Sequence, residues 1–276
     1  MIKIDLNYLK EIFEADIITM VENKRFPGMA MSIIENGTKI YSFDVGYRDI
    51  EKCKEFNGDT LARFGSITKS FTSLAILLLE DQGKLSVDDP IVKYLSINPR
   101  TKKHQITIHH LLTHTSGISV HIDEKAYNEE EYLTQVTGII NETREDFGKS
   151  KYSNIGYTLL AMIIEKVLDE SFDNAIRELI LEPLQMNRTI LLCDEELNSS
   201  DTNITIPYKP IKKGEDNPGF VKAEYEFSRL TMGPGSLVSS CNKFLVFIGM
   251  LINNGYKGGK TIFKPKIMEK MLTRYV

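Results

Sequence analysis

RFGSITKSFTSLAILLLEDQG, residues 63–83, decides how the rest of the chain is read. As a helix it is apolar nearly all round: Ile67, Phe71, Leu74, Ala75 and Leu78 on one side, Ile76, Leu77 and Leu79 on the others. A helix without a polar face is buried in the middle of a sizeable domain. Gly83, after Asp81-Gln82, is its stop, because glycine accepts the left-handed conformation that closes helices. The polar residues, Ser66, Thr68, Lys69 and Ser70, gather almost entirely at its start.

Ser66 and Lys69 are three apart, which on a helix puts them on one face, a turn from each other. A serine hydroxyl is a poor nucleophile until a neighbouring base takes its proton. A lysine serves as that base when burial or a helix N-terminus destabilises its ammonium. The same N-terminus offers free backbone N–H groups to a developing oxyanion. One turn of helix can thus supply nucleophile, base and part of an oxyanion hole. The ordinary reading is that Ser66 caps the helix after Gly65 and Lys69 snorkels to water. About one S-x-x-K is expected by chance at this length, and a second one, Ser240 to Lys243, opens another apolar helix. The motif alone does not decide.

The 276 residues, 42% of them hydrophobic, suffice for a full core in one or two domains. A net charge of -4, with basic residues scattered among acids, gives no reason to expect nucleic acid or a membrane surface as partner. Cys53, Cys193 and Cys241 are far apart and lack C-x-x-C spacing, which fits a reducing compartment. MIKIDLNYLKEIFEAD carries no basic-then-apolar leader pattern, and no apolar run approaches the ~18 residues of a span. The expectation is a soluble, cytoplasmic protein.

Residues 5–23 predict an amphipathic helix, with Leu6, Leu9, Ile12, Phe13, Ile17, Met20 and Val21 at helical spacing. Residues 27–49 predict a hairpin around Asn36-Gly37. ITIHHLLTHTSGI (106–118) reads as a short helix, and 121–144, with three consecutive glutamates, as a solvated face or loop. Residues 155–170 and 171–181 read as helices, 194–228 as a long loop, and 241–253 and 264–273 as a closing helix pair.

Tyr152-Ser153-Asn154 stands just before the helix of 155–170. In an extended segment, side chains two apart point the same way. A phenol beside an ammonium loses its proton more easily and can relay protons between nucleophile and leaving group. Asn154 could hold both the lysine and a substrate carbonyl or amide. The ordinary reading is a tyrosine at a core edge and an asparagine as helix cap.

Together these segments resemble the penicillin-recognising serine hydrolases, within them the class C β-lactamase, esterase and D-aminopeptidase branch. FGSITKSFTSLAILLLEDQGKLSVDDPIVKYL looks like the nucleophile helix and its sequel, and ITIHHLLTHTSGI is similar to the family's LLTHTSG stretch. YSNIGYTLLAMIIEKVLDESFDNAIRELILEPLQMNRT looks like the second-motif region, and GPGSLVSSCNKFLVFIGMLINNG like the Gly-rich turn and following helix. Class A enzymes pair S-x-x-K with S-D-N; here Tyr152-x-Asn154 takes that place.

The resemblance implies an α+β fold: an antiparallel sheet flanked by helices, with residues 1–62 and 232–276 forming the sheet region. Residues 63–231 form the mostly helical region. It implies a serine hydrolase working through an acyl-enzyme on an ester, amide or β-lactam carbonyl. Ser66 falls on the nucleophile, Lys69 on the general base, Tyr152 on the proton relay and Asn154 on the substrate-binding and lysine-holding position. Ser240 falls on a structural helix start. No cofactor and no metal are implied; the partner is a small-molecule or peptide acyl substrate.

The family's third motif, Lys or His, a small residue, then Gly, is not found before Val276. Lys257-Gly258-Gly259 has the letters but is read as a turn between two helices, and Lys260-Thr261-Ile262 lacks the glycine. The expectation is an incomplete sheet. The chain is then a fragment, or a second chain or copy completes the sheet, or the sheet is built differently. The alternative function is a non-catalytic binding or regulatory homologue that has lost turnover with the third motif. A metal site at His109, His110 and His114 is a third reading: His110 and His114 have the spacing of two ligands on one helix face.

Overall fold

Asn36 and Gly37 take the left-handed conformation (φ 50° and 77°) and close the predicted hairpin. Strand Gly28–Glu35 runs antiparallel to strand Thr38–Asp49, in register from Gly28 opposite Gly46 to Glu35 opposite Thr38, with one irregularity at Ile33/Ile34. The short strand Lys54–Glu55 adds to the far side of Thr38–Asp49, giving a three-stranded antiparallel sheet.

The structure, a computed structural model, describes residues 5–98, 105–118, 122, 128–142, 146–191, 203–211, 219–224 and 232–275. Its contacts divide the chain into two units. The first comprises Met1–Ala62, Ser199–Glu226 and Ser239–Asn253; the second comprises Arg63–Asn198, Phe227–Val238 and Asn254–Val276.

In the first unit the hairpin packs against two helices, Glu14–Glu22 and Cys241–Ile252. Asp5 caps the N-terminal segment, whose middle, Leu9–Phe13, widens into a π turn. The predicted apolar stripe there is partly covered, with Leu6, Leu9, Phe13 and Val21 half-buried. Ile17 is buried, whereas Ile12 and Met20 are exposed. Strand Tyr208–Pro210 pairs antiparallel with strand Phe220–Lys222, inside the stretch read as a loop. The rest of that reading, at 194–202, 212–218 and 225–228, lies outside the described residues.

The second unit is built on the central helix. It opens with a 3-10 turn, Gly65–Ile67, and continues as an α-helix, Thr68–Asp81. Phe71, Leu74, Ala75, Ile76 and Leu79 are wholly inaccessible to solvent. This is the burial that an all-round apolar helix requires. Gly83 ends it with φ 72°, as the sequence predicts. Glu80 and Asp81, at its far end, hold the last helix, Pro265–Leu272, through Lys264 (2.7 Å), Lys266 (2.6 Å) and Lys270 (2.6 Å). Helix Asn154–Leu168 packs beside it, with Ile155 through Ile164 all buried.

Three expectations change. Helix Ile108–Leu112 is only five residues long, because Thr107 and His110 form a capping box at its start and His114 turns left-handed (φ 59°) just past its end. The acidic stretch of 121–144 contains a helix, Glu129–Glu142. Its three glutamates occupy the first turn, where the helix dipole favours negative charge, and Tyr132, Leu133 and Val136 form a buried stripe behind them. Lys257-Gly258-Gly259 lies in a β-hairpin, Tyr256–Lys257 against Lys260–Thr261, with Gly258 and Gly259 as its turn. The Lys257 ammonium is bound to the Leu184 carbonyl.

Candidate active site

The four residues singled out from the sequence meet within the second unit. Ser66 Oγ lies 2.6 Å from Tyr152 Oη and accepts a hydrogen bond from Lys69 Nζ at 3.2 Å. Lys69 Nζ also donates to Asn154 Oδ1 at 2.8 Å and to the Pro234 carbonyl at 2.9 Å. It stands 4.8 Å from the centre of the Tyr152 ring. Lys69 is 7% exposed, whereas Ser66 is open to solvent and Tyr152 is 58% exposed. A covered amine therefore backs an accessible alcohol.

Local folding explains why Ser66 is free to do this. Gly65 (φ 53°) takes a conformation that side chains resist, and it sets Ser66 in the 3-10 turn ahead of the α-helix. Thr68 secures the turn, donating to the Gly65 carbonyl (2.6 Å) and accepting from the Leu237 N–H (2.9 Å). Phe64 N–H donates to the Leu237 carbonyl at 2.8 Å. Ser66 makes no capping bond, so the ordinary reading of it as a cap does not hold.

Asn154 is not the cap of its helix either. Ser153, extended at φ -140° and ψ 119°, accepts from the Gly156 N–H at 3.0 Å. Alternation through that one extended residue sends Ser153 to the helix end and Tyr152 and Asn154 to the other side, as predicted. The Asn154 side chain is left to accept from Lys69.

Two further participants complete the site: one was not singled out in the sequence, and the other was weighed there only as a metal ligand. The Pro234 carbonyl sits in a short helical turn, Met232–Gly235, tied to the central helix by Thr72 Oγ1 donating to the Gly233 carbonyl (2.8 Å). Gly233 lets the same turn lie against helix Asn154–Leu168: a Cβ there would stand 2.2 Å from the Tyr157 carbonyl oxygen. Every residue has a carbonyl, so its use leaves no side-chain signature. The glycines flanking Pro234 were the available signal. The second participant is His114, whose Nδ1 accepts from the Ser153 N–H at 3.1 Å and whose ring lies 4.8 Å from that of Tyr152.

The electrostatics agree with this arrangement. Burial works to raise the Tyr152 phenol, but its hydrogen bonds with Lys69 and Ser66 and the lysine's charge outweigh burial, and the net shift is downward from 10.0. Burial, then the Lys69 charge, lowers His114 below its ordinary 6.5. A neutral imidazole is what an Nδ1 acceptor requires. Burial raises the neighbouring Tyr157 phenol, which donates to the Leu112 carbonyl at 3.1 Å and meets Ser73 at 3.0 Å.

The histidines do not converge as metal ligands. His110 Nδ1 accepts from the Thr107 N–H at 3.1 Å, and the helix ends before His114, so the ligand-like spacing is not realised on one face. Among the described residues no group of three or more His, Cys, Asp and Glu side chains is placed to hold a metal.

The family model for beta-lactamase matches residues 13–275. The chain belongs to the beta-lactamase family. Protein flp of Staphylococcus aureus (strain MW2) is 33% identical over 188 residues, 64% of this chain and 38% of flp. Penicillin-binding protein 4* of Bacillus subtilis (strain 168) is 31% identical over 191 residues, 66% of this chain and 41% of that protein. This member of the family thus matches about two fifths of the length of each relative. An octameric penicillin-binding protein homologue from Pyrococcus abyssi superposes with a TM-score of 0.83 and 31% identity, covering 99% of this chain and 61% of the other. A class C beta-lactamase from Rhodobacter sphaeroides superposes with a TM-score of 0.74 over 93% of this chain and 68% of the other. At 21% identity that likeness shows the fold alone. The fold is the α+β beta-lactamase/transpeptidase fold.

Proposed function

We propose that the chain is a serine hydrolase of the beta-lactamase family that works through an acyl-enzyme on an ester, amide or β-lactam carbonyl. One observation carries the reading: an exposed Ser66 hydroxyl sits within hydrogen-bond reach of both a buried lysine amine and a phenol lowered below its ordinary pKa.

Ser66 Oγ attacks the carbonyl carbon while its proton passes to Lys69, directly or through Tyr152. The carbonyl π bond opens onto oxygen. Backbone N–H groups at the start of the helix, that of Ser66 among them, are the donors available to that oxygen. Collapse of the intermediate re-forms the carbonyl, breaks the bond to the leaving group, and returns the proton to it through Tyr152. Water then repeats the sequence on the acyl-enzyme and releases a carboxylic acid. Asn154 Oδ1 and the Pro234 carbonyl hold the amine, and His114 positions Tyr152 through the Ser153 backbone. Proton transfer by positioned groups of this kind contributes roughly 10²–10⁴ in rate.

The octameric state of the Pyrococcus abyssi homologue supports assembly of copies of this chain, which light scattering would read. Cys53 and Cys241 are free thiols, which supports a reducing, cytoplasmic setting. No described helix is long and apolar enough to cross a membrane.

The test is covalent labelling by a fluorophosphonate or a penicillin. Wild type should label in proportion to its concentration and Ser66→Ala should not. Equal labelling of the two would remove the site assignment.

A further inference from the structure

Thr72 lies one turn beyond Lys69 on the central helix and is wholly buried. Around it, side chains from the helix and its lead-in take hold of three successive carbonyls. Thr72 Oγ1 donates to Gly233 at 2.8 Å, Lys69 Nζ to Pro234 at 2.9 Å and Arg63 Nε to Gly235 at 2.9 Å. Met232–Gly235 is buried throughout, where polar backbone groups are paired. The Gly233–Pro234 peptide has no N–H, so the Gly233 carbonyl is its one polar handle, and Thr72 holds it. The proline ring fixes φ, so a held Gly233–Pro234 peptide leaves a single torsion between it and the Pro234 carbonyl.

We infer that Thr72 is a positioning residue for the base: through the Gly233–Pro234 peptide it aims the Pro234 carbonyl at Lys69. The consequence is the direction of a lone pair. A charged lysine has three N–H donors and no acceptor, and a neutral one has two donors and a lone pair. Asn154 Oδ1, at 2.8 Å, and the Pro234 carbonyl can only accept, so each claims an N–H. The Ser66 and Tyr152 hydroxyls beside the amine can also donate. Once Lys69 is neutral, its two N–H bonds stay on the two acceptors and the lone pair is left facing the hydroxyls. The proton it takes is then the one whose removal makes Ser66 a nucleophile. Without the Thr72 bond the Pro234 carbonyl turns away, an N–H swings toward the hydroxyls, and the lone pair is misdirected. The effect on reaction rests on the acyl-enzyme reading; the hold on Lys69 does not.

Thr72→Val keeps the bulk and removes the hydroxyl; Thr72→Ser keeps the hydroxyl and removes the methyl. With a fluorophosphonate, Thr72→Val should show a limiting labelling rate about tenfold lower, as a misplaced base does, with the half-saturating concentration and the fraction of protein labelled unchanged. Thr72→Ser should stay within about threefold of wild type, although loss of a buried methyl lowers its stability in urea. Thr72→Ala, which lacks the same hydroxyl, takes the place of Thr72→Val if that variant does not fold, with the same expectation. The second readout needs no reaction: in NMR the side-chain nitrogen resonance of Lys69 should move in Thr72→Val and keep its wild-type position in Thr72→Ser. A fall in the labelled fraction with the rate constant unchanged, a rate that Thr72→Ser does not restore, or a Lys69 resonance unmoved by Thr72→Val would overturn the inference. A moved resonance in a protein whose Ser66 does not label would retire the hydrolase reading and leave the hold on Lys69 standing. Labelling of wild type and Thr72→Val at equal rates would do the reverse.

Discussion

Two helices in this chain open with the same letters, and only one of the openings is a site. At Ser240-Cys241-Asn242-Lys243 the serine is wholly buried and spends its oxygen as the helix cap, accepting from the Lys243 N–H at 3.3 Å. Asn242, between them, is tied to Asp59 and Lys39. At Ser66-Ile67-Thr68-Lys69 the serine makes no cap, because Gly65 sets it in a 3-10 turn ahead of the α-helix. Its oxygen meets the phenol of Tyr152, and the lysine turns inward onto Asn154 and Pro234. The spacing of a motif supplies one face of a helix; what the serine oxygen is already bound to decides whether chemistry is available there.

The contrast breaks most sharply on the serines themselves. Ser66→Ala should lower the rate of covalent labelling by more than about 10³, since the attacking atom is gone, while Ser240→Ala should stay within about twofold. Next come the lysines. Lys69→Met keeps the bulk of the side chain and should slow labelling by roughly 10²–10⁴, and Lys243→Met should leave it near wild type. Equal losses in either pair would erase the distinction.

Tyr152→Phe should cost roughly 10²-fold and should change the pH profile as well. The lowered phenol ionises below pH 10.0, so the part of the labelling rate that rises toward that pH should be present in wild type and missing in the phenylalanine variant. A profile that survives the substitution would assign the rise to another group.

The stability effects run the other way round. Ser240→Ala should lose about 1 kcal/mol in urea unfolding, the usual value of a helix cap, and Ser66→Ala less than half of that. The smallest expected effect is the acid response of His114. Its folded pKa is lowered, so its contribution is fully present above the unfolded value of about 6.5 and is lost as pH falls below that value. The protection of the Ser153 amide against exchange, taken relative to its intrinsic rate at each pH, should fall over that range in wild type, because a protonated Nδ1 no longer accepts its N–H. In His114→Asn that change in protection should be absent.

Much of this was legible before any coordinates. The buried central helix, its glycine stop, the Asn36-Gly37 hairpin and the alternation that brings Tyr152 and Asn154 together all follow from local rules. What was hidden follows from competition between signals. The three glutamates at 129–131 masked a helix because acidity was read as solvation, when the first turn of a helix favours it. Asn154 looked like a cap because its neighbour Ser153 could fill the same role, and which of them would win depends on one extended residue. The helix at 108–112 looked longer because the left-handed turn that follows it is made by His114, a non-glycine residue that gives no stop signal in the sequence. Pro234 was invisible because its contribution is a backbone oxygen.

The most direct measurement is the position of the adduct. Trypsin releases Ser66 in the peptide FGSITK, after Arg63, and Ser240 in LTMGPGSLVSSCNK, after Arg229. After brief exposure to a fluorophosphonate, mass spectrometry should find the added mass on FGSITK and leave the second peptide unmodified. The adduct on LTMGPGSLVSSCNK, or an even division between the two, would contradict the account.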